Sequence, residues 1–161
     1  MGVDDSRWIR DRIEIDDLLT RYARAVDTCD WDLLATVFTP DAELDYRSAG
    51  GIRGRFPEVS AWLAQVLPGF SWTQHLVVNR SVTLDVDGAT GRARSDFLNP
   101  NQFLIRGEPW LFTVGGRYHD RLVRSPNGWR IARRVEETVW WEHPPPGLGE
   151  VPPPMPDDTE L

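Results

Sequence analysis

The hydrophobic pattern of this chain changes period once, and that change limits the folds open to it. Up to Pro68-Gly69, apart from a short alternating stretch at 42–47, the apolar residues recur at intervals of three and four; beyond it they alternate with polar ones. The first spacing lays an apolar stripe along an α-helix, the second an apolar face along a β-strand. Helices first and strands afterwards, joined by short turns, predict an α+β layer structure with helices covering one face of a bent antiparallel sheet. The space between the layers is the natural place for a small-molecule site.

From Ser6 to Val26, residues Ile9, Ile13, Ile15, Leu18, Leu19, Tyr22, Ala25 and Val26 form the helical stripe, with Ser6 as N-cap. Asp30 opens a second helix through Trp31, Leu33, Leu34, Val37 and Phe38, which Pro40-Asp41 ends. Residues 42–47 alternate like a strand, and a third helix follows with Pro57 in its first turn. Four long antiparallel strands are then expected over 72–86, 89–98, 110–124 and 129–141, turning at Asp87-Gly88 and Pro126-Asn127-Gly128. The prolines after His143 cannot continue a ladder, so the chain divides into a domain over 1–143 and an extended tail, a lid or an assembly strap, over 144–161.

Composition excludes several function classes. At 161 residues the chain has the size of one domain, and a net charge of -7 argues against a nucleic-acid partner, which would need a clustered basic surface. No run approaches the roughly 18 apolar residues of a membrane helix. The single cysteine, Cys29, permits no internal disulfide, and no signal-like leader is seen, so a cytoplasmic protein without membrane contact is expected. His75, His119 and His143 are too scattered to suggest a metal site, and none is expected.

His75, in Thr73-Gln74-His75-Leu76-Val77-Val78-Asn79, shares a strand face with Val77 and Asn79 by simple alternation. A histidine there can take a proton near neutral pH, or can be held by a neighbouring backbone group. Asp27 ends the first helix, where the helix dipole disfavours a carboxylate; it is either a solvated loop residue or a buried partner for His75. Tyr22 and Tyr46 can point hydroxyls into the same cavity or pack as core residues, and Asp96 is a weaker candidate that an arginine could neutralise. Trp110, Phe112 and the other aromatics supply flat apolar surface for a ring-bearing ligand, a core or an interface. If Tyr118 faces inward, His119 faces out and has no role.

Three segments carry a family resemblance: Ile15-Asp16-Asp17-Leu18-Leu19 through Arg21-Tyr22-Ala23-Arg24-Ala25-Val26-Asp27, Asp30-Trp31-Asp32-Leu33-Leu34, and Val37-Phe38-Thr39-Pro40-Asp41-Ala42. They resemble the opening of SnoaL-like domains in the nuclear-transport-factor-2-like superfamily. Thr73-Gln74-His75, residues 116–124 and Gly128-Trp129-Arg130-Ile131 look like its strand segments. The resemblance implies a cone of three N-terminal helices on a strongly curved, mostly antiparallel sheet, a cystatin-like α+β barrel. The branch it is most similar to contains scytalone dehydratase, bile acid 7α-dehydratase and hexachlorocyclohexane dehydrochlorinase. That implies a cofactor-free lyase acting on a cyclic or aromatic hydroxylated compound, with His75 as base, Asp27 orienting it, and Tyr22 or Tyr46 assisting. Asp96, Trp110, Phe112, Asn79 and Arg133 would contact substrate, Arg133 standing in for basic residues of the dehydrochlorinase. The same fold also implies two alternatives: a ketosteroid-isomerase-like isomerase, and a binding module such as a dioxygenase β subunit. A homodimer or homotrimer is implied by the outer sheet face.

Overall fold

A computed structural model describes residues 5–147. Helix α1 (Asp5–Asp27) and the short α2 (Trp31–Ala35) form a hairpin, β1 (Phe38–Asp45) and β2 (Arg53–Arg55) follow, and α3 (Phe56–Val66) leads to β3 (Trp72–Thr73). Strands β4 (Leu76–Leu84), β5 (Thr90–Ile105), β6 (Glu108–Ser125) and β7 (Gly128–Glu142) complete a seven-stranded sheet. Its order is β2-β1-β7-β6-β5-β3, with β4 also on β5; only β1 and β7 run parallel, so the sheet is mixed and mostly antiparallel. Among the described residues no helix is long and apolar enough to cross a membrane.

The helical stripe holds from Ile15 onward: Ile15, Leu18, Leu19, Tyr22, Ala25 and Val26 are buried. The first turns depart from expectation. Ile9 and Ile13 face outward, and Asp11 is buried instead, bonded to Arg124 of β6. Ser6 lies inside the first turn of α1, one residue past its start. Asp30 does cap α2, accepting from the Leu33 amide at 2.9 Å.

The second helix is shorter than its pattern suggests, because Phe38 through Asp45 joins the sheet beside β7. Pro40 is tolerated there because the register slips between Phe38 and Glu43, where no ladder donor is required. Strands β5 and β6 also run further than expected. They meet in a tight turn at Arg106-Gly107, both at positive φ (54° and 87°), a conformation arginine seldom signals.

The predicted first long strand is broken between Thr73 and Leu76. In an antiparallel strand the N–H and C=O of one residue face the same neighbour. Pro100 O accepts from Gln74 N at 3.1 Å, so the donor that proline lacks would fall in this gap. Asn99 Nδ2 holds the gap's edge by donating to Gln74 O and Thr73 Oγ1, both at 3.0 Å. His75 sits in that interruption.

At the middle of the sheet a side chain at Gly116 would place its Cβ 2.2 Å from the Glu137 carbonyl oxygen and 2.8 Å from the Phe97 ring. Phe97 is itself stacked on Tyr118 at 4.5 Å, so neither neighbour can retreat freely. Gly116→Ala is expected to cost about 1–3 kcal/mol of stability, as overpacking does in well-filled cores. Urea titration of the variant at neutral pH checks this.

Candidate active site

The two residues flagged for acid–base chemistry meet. The Asp27 carboxylate accepts from the His75 backbone amide at 2.9 and 3.1 Å, and its Oδ1 lies 2.6 Å from His75 Nδ1. These donors offset the poor placement of an acid at a helix C-terminus. They also fix the ring: with Nδ1–H bonded to Asp27, Nε2 is the nitrogen left to accept a proton. The side chains are 10% and 21% exposed, so the pair is sheltered but not sealed.

His75 borders a cavity of about 170 Å³ between α3 and the sheet. Tyr22, Tyr46 and Tyr118 line it with Asn99, Asn101 and Glu136, and Trp62, Phe70, Phe112 and Trp141 supply apolar walls. A space of this size takes about one six-membered ring. Tyr22 packs edge-on against both His75 (6.1 Å) and Tyr118 (5.5 Å). Burial raises the ionisation of all three tyrosines above its ordinary value, so they stay neutral donors. Tyr46 Oη has no hydrogen-bond partner among the described residues.

Beneath the tyrosines lies a buried ion pair. Arg134 donates to both Asp120 oxygens at 2.7 Å, with both side chains at 0% exposure. Its guanidinium is sandwiched between the rings of Tyr22 (4.0 Å) and Tyr118 (4.2 Å). Burial would lower its basicity, but Asp120 more than offsets this and keeps it charged.

Glu136, two residues along β7, also faces the cavity, and its carboxyl makes no hydrogen bond or ion pair among the described residues. Burial pushes its pKa up to about 8, Arg134 opposing and Asp45 adding to the shift. Glu136 therefore carries a proton at neutral pH. The sign of the linkage follows: the native state keeps a proton that the unfolded chain releases above the ordinary glutamate value of 4.5. Stability should fall as pH rises through about 8, by about 2 kcal/mol between pH 6 and pH 8. Denaturant midpoints across that range should show this slope in wild type and its loss in Glu136→Gln.

Residues 7–135 match the model of the SnoaL-like domain. The chain belongs to the SnoaL-like family. An uncharacterized Mycobacterium tuberculosis protein is 48% identical over 128 residues, covering 80% of this chain and 85% of that protein. A candidate scytalone dehydratase from Novosphingobium aromaticivorans superposes with a TM-score of 0.78 at 18% identity, over 92% of this chain and 97% of its own. The hexachlorocyclohexane dehydrochlorinase LinA-type3 of Novosphingobium barchaimii gives 0.74 at 20% identity, over 93% and 100%. At these identities the two structures show a shared fold.

Within this SnoaL-like fold, four of the residues singled out in the sequence, His75, Tyr22, Tyr46 and Phe112, line the cavity, and Asp27 stands behind His75. Asn79, Asp96 and Arg133 do not. A bulge between Val78 and Ser81 puts Asn79 at φ 49° and turns it outward, where its Nδ2 donates to Asp96 Oδ2 at 2.8 Å. Asp96 lies on that outer face with Arg117 at 3.7 Å. A second bulge, opposite Arg121 and Leu122, shifts the alternation of β7. Arg134 and Glu136 consequently face in, and Arg133 lines a groove on the other side of the sheet. Trp110 packs at the core's edge, donating from Nε1 to His143 O at 3.0 Å, and is absent from the cavity wall. His119 faces out as expected, on Glu137 at 3.0 Å.

Among the described residues no three His, Cys, Asp or Glu side chains converge as a metal site. The proposed tail begins at residue 144; Pro145 and Pro146 border an apolar hollow with Phe70 and Phe103, and 148–161 lie outside the described residues.

Proposed function

We propose that this SnoaL-like protein is a cofactor-independent lyase that eliminates a leaving group from a small, single-ring hydroxylated compound. The observation carrying the proposal is the 2.6 Å contact between Asp27 and His75 at the wall of a ring-sized cavity. His75 Nε2 removes a proton from carbon, and Asp27 holds the ring in the tautomer that makes this possible and stabilises the imidazolium that forms. Tyr22 and Tyr46 donate to a substrate carbonyl, whose oxygen gains negative charge as the proton leaves; neutral donors suit that task. Proteins of the same fold named for dehydration and dehydrochlorination support the reaction class.

One feature favours a second reading. Neutral donors grouped around a base would equally hold an enolate while the proton returns to a different carbon, which is isomerisation. Product mass separates the two. After incubation with a panel of cyclic β-hydroxy ketones and enones, elimination lowers the mass by one water and isomerisation leaves it unchanged. Binding without turnover of any member would favour a carrier or assembly module.

A homodimer or homotrimer is part of the same proposal. Leu76, Leu98 and Trp140 lie in one register row on the outer sheet face, and each is more than a third exposed. Such a row suits contact with another copy.

A further inference from the structure

Glu136 is the one carboxyl among the residues lining the cavity, and the elimination above gives it no task. Glu136 reaches the cavity from β7, and its neighbours are arranged to hold it rather than to neutralise it. Ser48 Oγ donates to the Glu136 carbonyl oxygen at 2.6 Å and accepts from the Thr138 amide at 3.0 Å, pinning the backbone on both sides. Arg134, the nearest cation on the same strand, gives Nε and Nη2 to Asp120, and its Nη1 has no hydrogen-bond partner among the described residues. Asp45, from β1, is likewise committed to Arg47. The remaining titratable groups around it are Tyr22 of α1, Tyr46 after β1, Tyr118 of β6 and, across the cavity, His75. The Glu136 carboxyl lines the cavity among these hydroxyls, placed to bond an occupant.

We infer that Glu136 is the catalytic acid that protonates the departing oxygen, which makes the leaving group a hydroxyl and the substrate a neutral ring bearing a β-hydroxy carbonyl. The inference rests on the lyase reading. In register, Glu136 pairs with Tyr118, Tyr118 with Ser95, and His75 lies beyond β5 on the β3–β4 side. Three strand spacings, about 14 Å, separate the two strands, and His75 stands about four residues further along, opposite Asn99; the bend of the sheet brings both residues to the wall of one cavity.

The step balances without any further reactant. His75 Nε2 takes the proton on the carbon beside the carbonyl, and that C–H electron pair becomes the new C=C bond. The C–O bond breaks with its pair going to oxygen, Glu136 gives that oxygen its proton, and water leaves. Glu136 is then a carboxylate and His75 an imidazolium; one proton passed from the second to the first through solvent restores both. A halide or carboxylate leaving group departs as a stable anion and needs no such donor. Glu136, which the neutral acid state suits to donation at pH 7, therefore selects for loss of water.

The test compares wild type, Glu136→Gln and His75→Ala on a single-ring β-hydroxy ketone and on its acetate ester, with the uncatalysed rate subtracted. Glu136→Gln should slow the hydroxy ketone by about 10²-fold or more and the ester by less than about threefold, and His75→Ala should slow both. Equal slowing of both substrates by Glu136→Gln, or of neither, overturns the role of Glu136 while leaving His75 as base. No turnover by folded wild type would overturn the lyase reading, and this inference with it. A readout independent of activity is the infrared carbonyl stretch of a protonated carboxyl at neutral pH. It should be present in wild type and missing from Glu136→Gln, and its absence from wild type would also overturn the role.

Discussion

Replacing His75 by alanine should lower turnover by about 10²–10⁴-fold without unfolding the protein, because the ring lies at a cavity wall and not in the main core. Asp27→Asn should lose about 10²-fold or more for a different reason. An amide can still accept from the His75 backbone, so the fold survives, but it no longer favours the protonated imidazole. The double variant should be little worse than His75→Ala, since an orienting group has nothing to act on once the base is gone. Rates for the three variants, with circular dichroism confirming the fold, check this.

The second large effect concerns stability. Arg134→Met should cost about 3–5 kcal/mol, the usual result of leaving one partner of a buried ion pair unpaired. Asp120→Asn should be milder, because an amide oxygen can still accept one of the two bonds. Combining Arg134→Met with Asp120→Leu should recover much of the loss, since the pair's attraction largely offsets its own desolvation. Function should not recover with it. The guanidinium between Tyr22 and Tyr118 sets the angle of both rings toward the cavity, and methionine has no planar face for either. Guanidinium chloride denaturation at neutral pH gives the stability terms, and turnover of the double variant gives the functional one.

Much of this was readable from local rules. The stripe of α1 from Ile15, the Asp30 cap, Pro57 at the start of α3 and the turn at Gly128, which adopts φ 98°, each depend on residues within a few positions of one another. Asp27 was legible as an acid in the wrong place along a helix, with a solvated loop residue and a partner of His75 both left open until the fold brought the two together. What escaped depends on pairing between distant segments. Phe38 reads as the end of a helix, and the strand legible from residue 42 begins four residues earlier only because β7 lies alongside it. The inward turn of Arg134 and Glu136 is set by a bulge, and one unpaired residue reverses every assignment after it. Strict alternation from Ile131 therefore points to Arg133. The break that seats His75 is hinted at by Pro100, though only once the strand opposite it is known.

The account stands or falls on His75 taking a proton from carbon inside this cavity. The direct measurement is competitive turnover of a cyclic β-hydroxy ketone carrying either hydrogen or deuterium on the carbon beside the carbonyl, with wild type and His75→Ala. Wild type should consume the protiated ring faster and release product lighter by one water, and His75→Ala should convert both isotopologues about 10²–10⁴-fold more slowly. Undiminished turnover by His75→Ala would contradict the account.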